Sequence, residues 1–382
     1  MRRFFVKLYV VTVALHLAFT FVLLRLAEAF RLAVPWWGAL LVALGLAAAF
    51  HGRLQLGLWD KPISRWRRWL VEEPYQVHWC GLLLAPAMLL VVAPGLSVQR
   101  TGGLAALGEP SLWSDAWVGG YAMGLVVAGY GVAVRRRWIV IRQQRVAIEG
   151  LDPALEGFRI VQMSDLHVGS HCPRERVAGW VERANALEPD VVALTGDYVT
   201  SGVRFHEDIA AALGGLRATE GVFAVMGNHD YFGEGEPLMS LLRDRHIMLL
   251  RNEHRVIERD GARLCLAGVD DVYTRRIDVD AALRGRDEEI PLIVMAHDPC
   301  TFPALARRGA ALVLSGHTHW GQVAVPFLAR HLNYNALHVE HHAGRYRIDD
   351  SQLYVSAGLG TTGPPLRLGA APEIVVIDLV AA

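Results

Sequence analysis

Ser164-Asp165-Leu166-His167, Gly196-Asp197, Gly227-Asn228-His229-Asp230, His297-Asp298 and Gly316-His317-Thr318-His319 set carboxylate, amide and imidazole groups in five short clusters. Oxygen and imidazole nitrogen are the donors that a hard-to-borderline divalent cation takes. A single Asp-x-His or Gly-His-x-His is also what a hydrogen-bonded turn in a protein core looks like. Five such clusters in this order, each directly after an apolar run, point to metal binding. Glycines at 196, 227 and 316 allow the tight turns that aim the following side chain into a cleft.

Something must bring these clusters together. The apolar runs at 158–163, 191–195, 222–226, 292–296 and 311–315 are short, continuous and rich in Val, Ile and Leu. That texture suits strands buried on both faces. In open α/β folds function gathers at the carboxyl ends of such strands, where all five clusters fall. Helix-like stretches at 175–187 and 205–216 fit an alternating α/β order.

The motif set resembles that of calcineurin-like metallophosphoesterases, over nearly all of residues 155–380. The tail, with Gly358-Leu359-Gly360, Pro365-Leu366-Arg367 and Pro372-Glu373-Ile374, is similar to a membrane-associated bacterial branch of that family. That branch includes the YkuE-like proteins and a UDP-2,3-diacylglucosamine pyrophosphatase. The resemblance implies an α/β (α+β) domain of two packed mixed β-sheets flanked by helices. It also implies two divalent metal ions, with Mn, Fe and Zn all compatible with the ligands. Asp165, His167 and His319 would hold one ion, Asn228, His297 and His317 the other, and Asp197 would bridge them. Two bridged cations generate hydroxide near neutral pH and take up charge on the phosphoryl oxygens. The neutral amide of Asn228 keeps the site positive enough to attract phosphate. In the family the histidine matching His229 protonates or stabilises the leaving oxygen, and Asp230 is expected to orient its imidazole. Trp320 stands where related proteins often carry glycine, and is expected to narrow or stack against the substrate pocket. Arg367 is expected either to clamp a second phosphate or to form a structural salt bridge. His331, His338, His341 and His342 enrich one further segment, read as a rim of the site, a solvated loop or a third metal site.

The first third of the chain has another texture. Apolar stretches at 8–26, 33–50, 77–96 and 116–134 each approach the roughly 20 residues that cross a bilayer core. They are apolar all round, which favours lipid over a soluble helical bundle. The expected organisation is a transmembrane domain of about four helices over 1–135, a linker over 136–154 and the catalytic domain over 155–382. Basic residues gather before the first stretch, between the second and third, and after the fourth. This alternation places both termini, and the catalytic domain, in the cytoplasm of a multi-pass inner (cell) membrane protein. Arg2-Arg3 followed by Ala27-Glu28-Ala29 also resembles a twin-arginine export signal with a cleavage site.

Across all 382 residues, 53% are hydrophobic and mean hydropathy is +0.27, too apolar for an ordinary soluble enzyme. Lys+Arg and Asp+Glu balance at 38 each, so the charge gives no reason to expect a nucleic-acid partner. The four cysteines lack CxxC spacing, which argues against a disulfide framework or zinc knuckle. The function expected is hydrolysis of a phosphodiester or pyrophosphate, with UDP-2,3-diacylglucosamine the leading lipid candidate. A soluble-substrate phosphodiesterase or phosphatase on an anchor is the alternative. A sensor that keeps the metal site without turnover is a further reading, and a transporter is poorly supported because the spans carry almost no acidic residues.

Overall fold

The structure, a computed structural model, describes residues 2–55, 62–100, 107–325 and 331–382. The chain divides into two units, Met1–Val134 and Arg135–Ala382.

Among the described residues of the second unit, twelve strands form two sheets. In chain order they are β1 (Val140–Ile148), β2 (Arg159–Met163), β3 (Val191–Leu194), β4 (Gly221–Ala224), β5 (Ile247–Leu249) and β6 (Glu253–Arg259). There follow β7 (Ala262–Gly268), β8 (Leu292–Met295), β9 (Leu312–Ser315), β10 (Gly344–Ile348), β11 (Ser351–Val355) and β12 (Glu373–Ala381). One sheet runs β1-β12-β2-β3-β4-β5, the other β10-β11-β9-β8-β7-β6. Both are mixed: β2, β3, β4 and β5 are parallel neighbours, whereas β12 meets β2 antiparallel. Likewise β7, β8, β9 and β11 run parallel between antiparallel edge strands β6 and β10.

Alternation along each strand builds the layers. Ile160, Val191 and Phe223 of the first sheet meet Ile293, Leu312 and Leu314 of the second in one buried cluster. The intervening Val161, Val192 and Leu194 turn outward beneath Trp180, Ile209 and Leu238. Those three come from helices Arg174–Asn185, His206–Leu213 and Gly235–Arg243, the first two falling where helix was expected. Phe302 and Leu305 cover the outer face of the second sheet. Continuous apolar runs are required because these strands are buried on both sides.

The supposed linker contains part of the sheet. Residues 140–148 form β1, which lies parallel to β12 from Val140↔Glu373 to Ile148↔Ala381. As an edge strand it alternates half-buried and exposed residues over most of its length, and Arg142 and Arg145 disguise it as a charged connector.

The first unit is helical: Arg2–Ala29, Trp36–Gln55, Glu73–Gln99 and Pro110–Gly129. Among the described residues, three helical segments are long and apolar enough to cross a membrane: Val6–Ala29, Arg65–Gln99 and Pro110–Arg137. Trp36–Gln55 forms where a second span was expected and is not among these three. Leu90, Val91 and Val126 project outward, as apolar side chains facing lipid would. Small residues bring two helices into contact: a Cβ added at Gly124 would lie 2.5 Å from the Gly81 carbonyl oxygen.

Polar side chains in this unit largely find one another. His16 donates from Nδ1 to the Thr12 carbonyl (2.7 Å), and its Nε2 meets His78 Nε2 at 3.3 Å. His78 Nδ1 meets the Tyr121 hydroxyl at 2.8 Å. Three helices are thereby tied through two imidazoles. Arg53 pairs with the buried Glu72 at 2.8 Å, while Arg25 and Arg100 share Asp115. Trp59 and Lys61, in the basic connection between the second and third apolar stretches, lie outside the described residues.

Candidate metal centre

All five strand ends converge. Asp165 and His167 follow β2, Asp197 follows β3, Asn228 follows β4, His297 follows β8, and His317 and His319 follow β9. Six of these seven residues are buried, and His317 is half-buried. Asp165, His167 and His319 form one group of mutually close donors, and Asp197, His297 and His317 form a second. Among the described residues the His, Cys, Asp and Glu side chains make no third group, and the histidine-rich segment contributes to neither. There His341 packs edge-on against Phe302 and Tyr346.

Asp197 lies between the two groups. Its Oδ2 is 3.5 Å from His167 Nε2 and 3.3 Å from His297 Nε2. Within the first group His167 Nε2 and His319 Nε2 are 3.0 Å apart, and His319 Nε2 is 3.3 Å from Asp165 Oδ1. In the second, His317 Nδ1 stands 3.2 Å from His297 Nε2.

These donors fit cations. Burial holds the His167 imidazole down at about 3 and keeps that of His319 well below its ordinary range, so both present lone pairs rather than charge. Neutral imidazole nitrogens and a carboxylate oxygen converging this closely can hold a cation between them. The buried Asn228 Oδ1 has no hydrogen-bond partner among the described residues, which suits a ligand oxygen. The site accommodates two divalent ions through imidazole, carboxylate and amide donors.

The backbone is bent to achieve this. Asp165, His167, Asp197, His317 and His319 all have φ between 47° and 69°, in the left-handed region. Non-glycine residues held there cost about 1–3 kcal/mol each, and such strain clusters at functional sites. Of the three turn glycines, only Gly196 has a positive φ, at 92°. Gly227 and Gly316 serve close approach instead: a Cβ at 227 would collide with the Asp197 carboxylate, and one at 316 with Ser164 Oγ and Asp165 Oδ2.

Three expected site residues show contacts that the sequence did not report. Asp230 does not touch the His229 ring. Its buried carboxylate accepts the backbone N–H groups of Asp197 (2.9 Å), Tyr198 (2.7 Å), Val199 (3.3 Å) and Gly227 (2.9 Å), locking two ligand loops together. The His229 ring is oriented by the Thr200 carbonyl, which accepts from Nδ1 at 2.6 Å, a partner with no side-chain signature in the sequence. Trp320 donates from Nε1 to the Val355 carbonyl at 2.8 Å and lies under the Arg142 guanidinium, 5.0 Å from the ring centre. These contacts hold its ring between Val355 of β11 and Arg142 of β1. Arg367 is fully buried and, among the described residues, pairs with no carboxylate; its guanidinium donates to the Gly360 carbonyl instead.

A helix-flanked pair of mixed sheets with two Asp/His groups at its strand ends is the architecture of a binuclear metallophosphoesterase. The profile of the calcineurin-like phosphoesterase family matches residues 158–321. An uncharacterized metallophosphoesterase of Aquifex aeolicus is 31% identical over 231 residues, covering 58% of this chain and 84% of that protein. The uncharacterized metallophosphoesterase YkuE of Bacillus subtilis is 29% identical over 271 residues, 68% of this chain and 94% of that protein. A transmembrane protein with metallophosphoesterase domain from Danio rerio is 34% identical over 269 residues, 66% of this chain. The match covers 60% of the Danio rerio protein, so the chain spans less than two thirds of that relative. This chain belongs to the calcineurin-like phosphoesterase family.

Proposed function

We propose that the chain is a membrane-anchored, metal-dependent hydrolase of a phosphodiester or pyrophosphate bond. The observation that carries this reading is Asp197 Oδ2 poised between two donor groups, 3.5 Å from one imidazole and 3.3 Å from the other. Two bound cations would supply the nucleophile and neutralise developing phosphoryl charge. Asp197 Oδ1 accepts the His229 backbone N–H at 2.9 Å, which couples the bridging carboxylate to the turn carrying His229. With Nδ1–H committed to Thr200, His229 keeps Nε2 for proton exchange with a leaving oxygen. Asp230 acts through the backbone, holding the loops of Asp197 and Asn228 in register. Hydrolysis of a chromogenic phosphodiester by the purified full chain, lost on chelation and restored by Mn, Fe or Zn, is the expected result. Metal-independent turnover would overturn the reading.

The anchor suggests an amphiphilic substrate presented at the cytoplasmic leaflet, with UDP-2,3-diacylglucosamine as the compound to try first. Trp66 and Trp69 are exposed between basic residues, as expected of a headgroup contact. Higher kcat/KM on that lipid in mixed micelles than on soluble diesters supports it, and equal or lower efficiency removes it. For the topology, Trp36–Gln55 has 20 residues, about 30 Å of helix, and would complete an even number of spans. A reporter fused after Ala382 should then read cytoplasmic, and a periplasmic reading would show that this helix does not cross.

A further inference from the structure

The chain that follows His319 forms a ribbon whose outer face is apolar. Gln322, Ala324 and Asn333 are buried, whereas Val323, Val325 and Leu332 are exposed. Ala324 pairs antiparallel with Asn333, and Val325 donates its N–H to the Leu332 carbonyl at 2.9 Å. Val325 and Leu332 therefore stand side by side on one face, with Val323 two residues along. A solvated antiparallel ribbon shows its polar side to water, and this one does the reverse. Leu337, in the turn that follows, is exposed as well.

The ribbon is fixed beside the metal centre. The buried amide of Gln322, three residues after His319, donates to the Thr362 and Pro364 carbonyls at 3.1 and 2.7 Å. Asn335 Nδ2 donates at 2.6 Å to the carbonyl of Thr318, the residue between His317 and His319. The apolar face is thus held at a set place relative to the ligand loop.

Topology indicates what covers it. Because β12 runs antiparallel to β2 and β1 runs parallel to β12, β1 begins at the edge of the sheet where β2 ends and Asp165 follows. Arg142 of β1 accordingly reaches Trp320, the residue after His319. Only Trp138 and Ile139 separate Val140 from the apolar helical segment Pro110–Arg137, and Trp138 is exposed. Two residues span at most about 7 Å. A bilayer holding that segment is therefore tethered to the metal-bearing edge of the sheet rather than to the opposite one. Charge agrees: residues 299–339 contain no Asp or Glu, so nothing acidic on the ribbon opposes anionic headgroups.

We propose that the ribbon of Val323, Val325 and Leu332 seats on the bilayer leaflet next to Arg137, so that the metal centre opens toward phosphoesters held in that leaflet. The lipid contact is independent of any reaction, while the presentation of substrate rests on the hydrolase reading above.

The contact is tested on the full chain in nanodiscs of phosphatidylcholine and phosphatidylglycerol, with and without doxyl-phosphatidylcholine. Cys300→Ser leaves three buried cysteines as background. Into it, a nitrobenzoxadiazole fluorophore is attached at Leu332→Cys, or at Asp350→Cys in the β10–β11 turn on the opposite edge. Emission from position 332 should shift to the blue and be quenched by the doxyl lipid, while position 350 stays unquenched. Equal quenching at both positions, or none at 332, would overturn the proposal, and neither result needs turnover. Val325→Asp combined with Leu332→Asp should lower the ratio of kcat/KM on a lipid-borne diester to that on a soluble chromogenic diester by about 10-fold. An unchanged ratio would overturn the presentation of substrate. Failure of the wild type to hydrolyse either diester would instead count against the hydrolase reading, with the quenching result still deciding the contact.

Discussion

Close backbone approach serves both units of this chain, to different ends. In the helical unit, Gly124 lets one helix lie against Gly81 of another, and the contact is packing alone. In the catalytic unit, Gly227 and Gly316 let ligand loops approach until nothing larger than hydrogen fits beside Asp197 and Asp165. The same residue type buys association in one place and donor geometry in the other. Damage should therefore separate cleanly: helix contacts should register in stability with chemistry intact, and strand-end contacts in chemistry and metal content.

The largest expected effect is Asp197→Asn. It should abolish metal-dependent hydrolysis, to background, and lower bound metal, while circular dichroism and membrane association stay unchanged. Retained turnover would mean that this carboxylate does not link the two groups. His229→Ala should keep both metals yet lower kcat by about 10²–10⁴-fold. The loss should be greatest for poor leaving groups, and a loss of metal equal to that of Asp197→Asn would undo the separation of roles.

Asp230→Ala sharpens the contrast further. Each backbone N–H left without its acceptor costs about 1–3 kcal/mol, and four depend on this carboxylate. The variant should lose several degrees of Tm together with bound metal, whereas a group that only oriented His229 would slow turnover at constant Tm. Gly124→Val belongs to the other unit: overpacking costs about 1–3 kcal/mol, seen as lower thermal stability in detergent at unchanged kcat on a soluble diester. The smallest effect should come from His78→Phe, about 0.6 kcal/mol per lost interhelical hydrogen bond in the same melting assay.

The strand ends were legible because chemistry and periodicity coincide there: an apolar run gives the strand, and a polar cluster after it gives the ligand. Where only one signal exists, reading failed. β1 carries Arg142 and Arg145 and gains its place from pairing with residues more than two hundred positions away, which no local pattern reports. Thr200 orients His229 through a carbonyl, and every residue has one. Asp230 was expected to serve its neighbour His229, yet its partners are backbone groups, three on an adjoining loop and one on its own. Arg367 was visible as a cation on a turn, but the sequence could not say that its guanidinium donates to the Gly360 carbonyl.

The position of β12 has a consequence for how the chain is made. Glu373–Ala381 lies between β1 and β2, so Val140 finds its partner only when Glu373 has been synthesised. At roughly 5–20 residues per second, β1 emerges on the order of tens of seconds before the strand that receives it. During that interval β2 also has an unpaired edge, since β12 is its neighbour on that side. The first sheet is thus sealed by its last-made strand. A nascent chain stalled before Glu373 should present two open strand edges and be a substrate for chaperones or proteases even with its membrane helices already in place.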